Sequence, residues 1–361
     1  MRIGLDAHAL GTQAGGNETF IRHLLDGLRE VAPETDLVAY VHGEPDTAGF
    51  PAYQLPMRAS WLRVPVGLPR AVHATEADLL HVQYIAPPAF RKPFVVTLHD
   101  MVWRRFPETL PRTTRFRLAA LVPHSLRRAS RVFVVSEAMK SEAMRLYGVP
   151  EERIDVVPNA VDPAFRRITA PDMLAAVKMH YGLPERYIAY LGALQPRKNV
   201  DRLAEAVVRL RSRGFPHGLV IIGPEGWQGK ALRERIAEAG LNEALRFTGY
   251  VPPDDLPALL SAADAFAYVS LYEGFGIPVA EALACGVPTV ISTDPALQEV
   301  AGDAAVPCDP LDSDSIAAAL EQVLTDDELR RRLEGAGPAQ VAGFTPAATA
   351  RAALAGYRKA L

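Results

Sequence analysis

Cysteine is almost absent: Cys285 and Cys308 are the two thiols in 361 residues. That excludes a disulfide framework and a clustered thiolate metal site. No apolar run reaches the roughly 18 residues that a membrane-spanning helix needs. The opening residues, Met1-Arg-Ile-Gly-Leu-Asp6, lack the apolar stretch of a signal peptide. Charge of one sign is lacking too. With 39 basic against 42 acidic side chains the formal net charge is −3, which argues against a surface that grips nucleic acid as a whole. Low-complexity tracts and internal repeats are also missing. The setting these absences predict is soluble, reducing and cytoplasmic. Hydrophobic residues make up 49% and charged residues 22%, an ordinary globular balance. At ~100–200 residues per domain, the length suggests two domains with sizeable cores.

What is present is an alternation of short β-type runs with helical stretches, the pattern of parallel sheets covered by helices. Strands are expected at 3–6, 37–41, 79–82, 94–98, 132–135 and 154–157, the last ending at the turn Pro158-Asn159. A second series is expected at 187–191, 219–222, 245–248, 265–269 and 289–291, with helices between, such as 203–210 and 231–239. Asn17 reads as the cap of a helix that buries Phe20, Ile21, Leu24, Leu25 and Leu28. The stretch 162–171 has no strong periodicity and reads as a linker. The expected architecture is α/β, with two Rossmann-like doubly wound domains at 1–168 and 169–345. The last helix, within 346–361, is expected to pack on either domain. Two such domains in tandem put a ligand cleft between their strand carboxyl ends.

The richest chemistry lies in Ser270-Leu-Tyr-Glu273-Gly-Phe-Gly276-Ile-Pro278-Val-Ala-Glu281. It follows a strand, turns through Gly274 and Gly276, and opens a helix with Pro278 near its start. Backbone N–H groups and the helix dipole favour an anion there, such as a diphosphate. Glu281, about one turn inside, leans back toward that start and can meet a polyol such as a ribose. Glu273 lies in the loop, placed for a second polyol. Alone, the two glutamates would more often be a solvated loop residue and a helix-dipole partner; the Gly/Pro frame favours a ligand that is sugar, diphosphate and nucleoside in one. Pro196-Arg197-Lys198-Asn199 follows another strand, so its two cations can neutralise a diphosphate without a metal, or form an exposed basic turn. His99-Asp100 ends the strand at 94–98, where a lone histidine is more often structural; His81 and His8 read as structural too. Gly274-Phe-Gly276 fails as a dinucleotide fingerprint because Val279 stands where a small residue is needed. Asp312-Ser-Asp314 resembles a metal-binding D-x-D but directly precedes a helix at 316–324 and reads as its cap. Residues 104–131 hold Arg104, Arg105, Arg112, Arg115, Arg117, Arg127, Arg128 and Arg131, with Pro123 expected to divide them between two short helices. This basic amphipathic stretch is either a solvated face, with Glu108 as a partner, or a dock for anionic lipid.

Glu273-x7-Glu281 with its Gly-Phe-Gly-Ile-Pro insert resembles the retaining GT-B glycosyltransferases of family 4. The likeness extends through Gly15-Gly16, Leu80-His-Val-Gln-Tyr84, Thr97-Leu-His99-Asp100, Val134-Val-Ser136, Pro158-Asn159-Ala-Val-Asp162 and Leu191-Gly-Ala-Leu-Gln-Pro-Arg197-Lys198-Asn199. Within the family these motifs look most like bacterial mannosyltransferases of cell-envelope polysaccharide assembly. The resemblance implies a donor held by the C-terminal domain, an acceptor held by the N-terminal one, and retention of anomeric configuration. It implies catalytic roles for His99, Glu273, Lys198 and Arg197: Lys198 and Arg197 on the donor diphosphate, Glu273 on the sugar hydroxyls, His99 against the transferred sugar. Glu281 would hold the ribose, with Gly15, Gly16, Gly274, Phe275, Gly276 and Ile277 around the donor. Gly249, Tyr250 and Val251 would touch the base through their backbone. One departure is Ala193, where many relatives carry an arginine. No cofactor or metal is expected. The donor expected first is GDP-mannose, then UDP-glucose, and the acceptor is a glycan or lipid-linked glycan at the inner face of a membrane. A nucleotide-sugar 2-epimerase and a non-catalytic nucleotide-sugar-binding protein are the alternatives.

Overall fold

Runs such as Phe94-Val-Val-Thr-Leu98 are apolar at nearly every position, as strands covered on both faces must be. In the computed structural model, which describes residues 1–12, 15–224, 229–238 and 245–361 (the side chains at 229, 232, 235 and 236 excepted), they form two all-parallel sheets. The first contains β1 (Ile3–Asp6), β2 (Leu37–Val41), β3 (Ala52–Gln54), β4 (Leu79–Gln83), β5 (Phe94–Leu98), β6 (Arg131–Val134) and β7 (Ile154–Val156), in the order β3-β2-β1-β4-β5-β6-β7. The second contains β8 (Tyr187–Leu191), β9 (Gly218–Ile222), β10 (Leu245–Gly249), β11 (Ala265–Tyr268), β12 (Thr289–Ser292) and β13 (Ala305–Cys308), in the order β10-β9-β8-β11-β12-β13. Strand order reverses between β1 and β4, and again between β8 and β11. These are the switch points at which doubly wound sheets bind ligands beyond their strand carboxyl ends.

The chain divides into two compact units, residues 1–107 with 111–160 and 344–361, and residues 161–343 with 108–110. The aperiodic segment 162–171 is fixed inside the second unit: Ile168 N–H donates to Ser261 Oγ at 3.0 Å, and Arg167 to the carbonyl of Gly286 at 2.8 Å. The last helix, Pro346–Ala360, packs within the first unit. Tyr357 is buried there with its hydroxyl 2.7 Å from His81 Nδ1, and Lys359 pairs with Asp155 at 2.8 Å.

Several expectations are corrected. Asn17 is not a cap: the helix runs Gly16–Val31, and Gly15 stands at its N-cap with φ 61°, so a left-handed glycine turns the chain into the helix instead of a side chain. The apolar face Phe20, Ile21, Leu24, Leu25 and Leu28 is buried as the spacing predicts. Pro123 does not split its stretch. One helix, Arg112–Arg128, carries through it, giving up one backbone bond while Val122, Ser125 and Leu126 anchor its inner face. Two edge strands escaped the sequence: β3 is three residues with little buried surface, and β13 contains Pro307, tolerated because an edge strand has one face of its ladder unpaired. The helix expected at 231–239 runs Gly229–Glu238; residue 239, like residues 13 and 14 of the first glycine segment, lies outside the described residues.

Candidate active site

The loops after β8 and β11 meet at the switch point of the second sheet. Asn199 locks them together. It is fully buried with φ 61°, and its amide donates to the carbonyls of Val269 at 3.0 Å and Pro310 at 2.7 Å. Leu271 N–H donates to the Arg197 carbonyl at 2.8 Å, and the Arg197 guanidinium returns a bond to the Tyr272 carbonyl at 2.9 Å. This bracing brings three charges together. Lys198 Nζ lies 2.6 Å from Glu273 Oε1, and Arg197 Nη1 lies 3.1 Å from Oε2. Glu273 is only 8% exposed. Burial would push its carboxyl up, but Lys198 and Arg197 outweigh that and hold it down at about 2. The loop glutamate is therefore a buried, ionised partner of both cations, and the basic turn is not a solvated one. Glu273 thus pairs with both cations just ahead of the helix Ile277–Ala284.

That helix opens at Gly276, whose φ of 100° suits glycine, and a Cβ there would sit 2.4 Å from Leu297 Cδ2. Phe275 is buried and Ile277 half-buried at the same opening, which Gly274 precedes. Glu281 lies one turn inside and is half-buried. Burial and, secondarily, Asp162 push its carboxyl up to about 8. Gly249 closes β10 with φ 72°, followed by exposed Tyr250 and buried Val251.

Two side chains at this site escaped the sequence reading. Tyr268, the last residue of β11, is buried, stacks on Tyr190 at 5.6 Å and places its hydroxyl 2.5 Å from Lys198 Nζ. Asp294 caps the helix Pro295–Ala301 through the N–H groups of Ala296 and Leu297, and also accepts the Glu273 N–H at 3.3 Å. The dipeptide Asp294-Pro295 is a legible cap signal; its bond to a loop 21 residues back is not.

In the first unit, His99 follows β5 and is 9% exposed. Its Nε2–H donates to Gln83 Oε1 at 2.5 Å, and its ring meets Phe20 and Tyr84 edge-on. Burial lowers its pKa to about 3, so the ring is neutral. His81 is wholly buried between Tyr357 and Thr97 and is structural, while His8 pairs with Asp6 at 2.9 Å. Gly15 and Gly16 start the first helix, and a Cβ on Gly15 would meet nothing within 4 Å. The arginine stretch is divided in use. Arg105 pairs with Glu142, Arg131 with Asp155, and Arg128 binds the carbonyls of Pro88 and Phe90, whereas Arg112, Arg115 and Phe116 are exposed. Asp312 caps the helix Ser313–Thr325 by accepting the Asp314 N–H at 2.9 Å, as its position predicts.

Residues 14–165 match the family described as Glycosyltransferase Family 4, and residues 181–340 the family described as Glycosyl transferases group 1. Over 254 residues the chain is 35% identical to O-antigen chain mannosyltransferase B of Escherichia coli, covering 70% of this chain and 66% of that one. Over 241 residues it is 33% identical to the serotype-specific mannosyltransferase WbdA of the same species, covering 65% of this chain and 29% of that one. The chain thus spans just under two thirds of the first relative and less than a third of the second. Sucrose-phosphate synthase from Thermosynechococcus elongatus shares the fold, with a TM-score of 0.81 at 19% identity over 99% of this chain and 98% of that one. With two Rossmann-like parallel sheets in the GT-B pattern and a glycosyltransferase family matched in each half, the chain belongs to the GT-B glycosyltransferases of family 4.

Proposed function

We propose that the protein transfers a mannosyl group from GDP-mannose to a glycan or lipid-linked glycan acceptor, with retention of configuration and without a divalent metal. The observation that carries this reading is the Lys198–Glu273–Arg197 cluster, built on a buried carboxylate, beside the helix opening at Gly276. Glycosyl transfer passes through an oxocarbenium-like transition state while negative charge gathers on the leaving diphosphate. Lys198, Arg197 and the helix N-terminus are fixed before the donor arrives, so they stabilise that charge without reorganising. Glu273 does two things: it holds both cations in place, and as an ionised acceptor it takes hydrogen bonds from donor sugar hydroxyls. Glu281 takes the ribose hydroxyls, the amides of Gly15 and Gly16 approach the diphosphate, and the backbone at Gly249, Tyr250 and Val251 meets the base. His99 binds the transferred sugar as a neutral imidazole, which does not repel a developing oxocarbenium charge. The leaving phosphate oxygen takes the acceptor proton on the same face that the new bond forms. The mannosyl donor and the glycan acceptor are supported by the names of the two Escherichia coli relatives. Exposed Arg112, Arg115 and Phe116 support a peripheral contact with anionic lipid at the inner face of the membrane.

The test is product mass spectrometry after chelator-treated enzyme meets GDP-mannose or UDP-glucose with lipid-linked glycan acceptors. A hexose added from GDP-mannose under EDTA, with the donor anomeric configuration by NMR, is the expected result. Nucleotide release without an acceptor would point to an epimerase, and strict dependence on magnesium or manganese would overturn the proposed diphosphate site.

A further inference from the structure

The carboxyl edge of the N-terminal sheet gathers several basic side chains around Asp6 and His42. Asp6 ends β1 and is buried; Oδ1 accepts from His8 Nδ1 at 2.9 Å, and Oδ2 lies 3.8 Å from an Nη of Arg63. Arg63 is 8% exposed and opens a π-helical turn, Arg63–Gly67, a winding that recurs at functional sites. Arg117 reaches in from the helix Arg112–Arg128 and donates to Ser60 Oγ; burial and the neighbouring Arg63 both lower its pKa. His42 follows β2 with Nδ1–H on the Leu55 carbonyl at 3.0 Å. Burial holds its imidazole below the ordinary value, against the pull of that carbonyl and helped by Arg63, His8 and Arg58. Arg63 thus faces Asp6, Arg117 lies close enough to Arg63 to feel its charge, and Arg63 and Arg58 both act on His42. Among the described residues, three buried nitrogens in the group have no hydrogen-bond partner: Arg63 Nε, Arg117 Nε and His42 Nε2.

Neighbouring cations that depress one another and unpaired buried nitrogens point to the same complement, an anion with several acceptor oxygens. Guanidinium groups suit phosphoryl oxygens in particular, and the cluster stands at the end of β1, the switch-point strand of its sheet. We propose that Arg63, Arg117 and His42 hold a phosphoryl group of the acceptor, an inference that rests on the reading that the N-terminal unit takes the acceptor. Two sources share this chemistry, a soluble phosphorylated glycan and a prenyl-phosphate-linked one. Trp61 and Phe116, the chain neighbours of Ser60 and Arg117, are 69% and 68% exposed. They offer an apolar rim that only the second would use.

Calorimetric titration of the full chain with inorganic pyrophosphate and with farnesyl phosphate, GDP being present at saturation to occupy the donor site, tests this. Arg63→Gln and Arg117→Gln should each weaken both probes roughly tenfold or more, while leaving GDP affinity unchanged within about twofold. Phosphoryl binding should also move the His42 NMR titration to higher pH in the wild-type protein, because Nε2 takes a proton opposite the anion. That shift keeps the test open if Arg63→Gln does not fold. Variants that bind both probes as the wild type does, or a wild-type protein that binds neither, would overturn the proposal. Tighter binding of farnesyl phosphate that Trp61→Ala abolishes identifies a lipid-linked source; equal affinity identifies a soluble one. Should the wild type fail to bind GDP, the donor reading falls, and the same titrations without GDP still read the Arg63 cluster.

Discussion

Glu273 shows how far one side chain's surroundings set its job. A buried carboxylate held at about 2 by two half-buried cations is ionised at every physiological pH. Its stabilising contribution is present above the ordinary value of 4.5 and lost only as pH falls toward 2. Glu273→Gln removes the charge that Lys198 and Arg197 face, and breaking a buried pair from one side costs about 3–5 kcal/mol. The variant should therefore melt well below the wild type, and a nucleoside diphosphate should raise its melting temperature more than it raises that of the wild type, since the ligand replaces the missing negative charge. Thermal denaturation with and without GDP checks both. Glu281 behaves oppositely. Its carboxyl is raised to about 8, so the folded chain holds a proton that the unfolded chain releases near 4.5. Stability from this residue falls as pH rises between those values. Melting temperatures from pH 5 to 8 should decline less steeply in Glu281→Gln than in the wild type.

Among elements, the helix Ile277–Ala284 matters most for the glycine at its N-cap. Gly276→Ala would force a Cβ into Leu297 at a φ of 100°. Strain of this kind costs of order 1–3 kcal/mol, and here it falls on the N-terminus proposed to face the diphosphate. The expected outcome is a lower melting temperature with GDP affinity lost out of proportion to it, measured by calorimetry; an unchanged affinity would separate the helix opening from the ligand. The elements legible in the sequence were those with strong local signals. The strands Tyr187–Leu191 and Phe94–Leu98 are continuous apolar runs, and Pro346–Ala360 has an amphipathic period behind a Thr345 cap. What was not legible depended on partners far along the chain. β3 and β13 hold their places at sheet edges by register with β2 and β12, through pairs such as Tyr40 with Tyr53 and Ile291 with Pro307. Pro123 survives inside a helix because of what its neighbours bury, which no local rule reports.

At the scale of the whole molecule, the second sheet brings Arg197 and Lys198, after β8, against Glu273, after β11, where its strand order reverses. His99 follows β5, one strand beyond the reversal between β1 and β4. Lys198 and Glu273 are 75 residues apart, and nothing local to either predicts that the glutamate neutralises the cation instead of standing in solvent. The contacts of Tyr268 with Lys198 and of Asp294 with Glu273 were hidden for the same reason. The account turns on whether this cluster binds a diphosphate without metal. Calorimetric titration of GDP and of guanosine into chelator-treated wild type and Lys198→Ala decides it. The wild type should bind GDP in EDTA, and Lys198→Ala should bind it about 10- to 150-fold more weakly, the range for a hydrogen bond to a charged group, with guanosine affinity equal in both. GDP affinity that is the same in the two proteins, or that appears only when magnesium or manganese is restored, would contradict it.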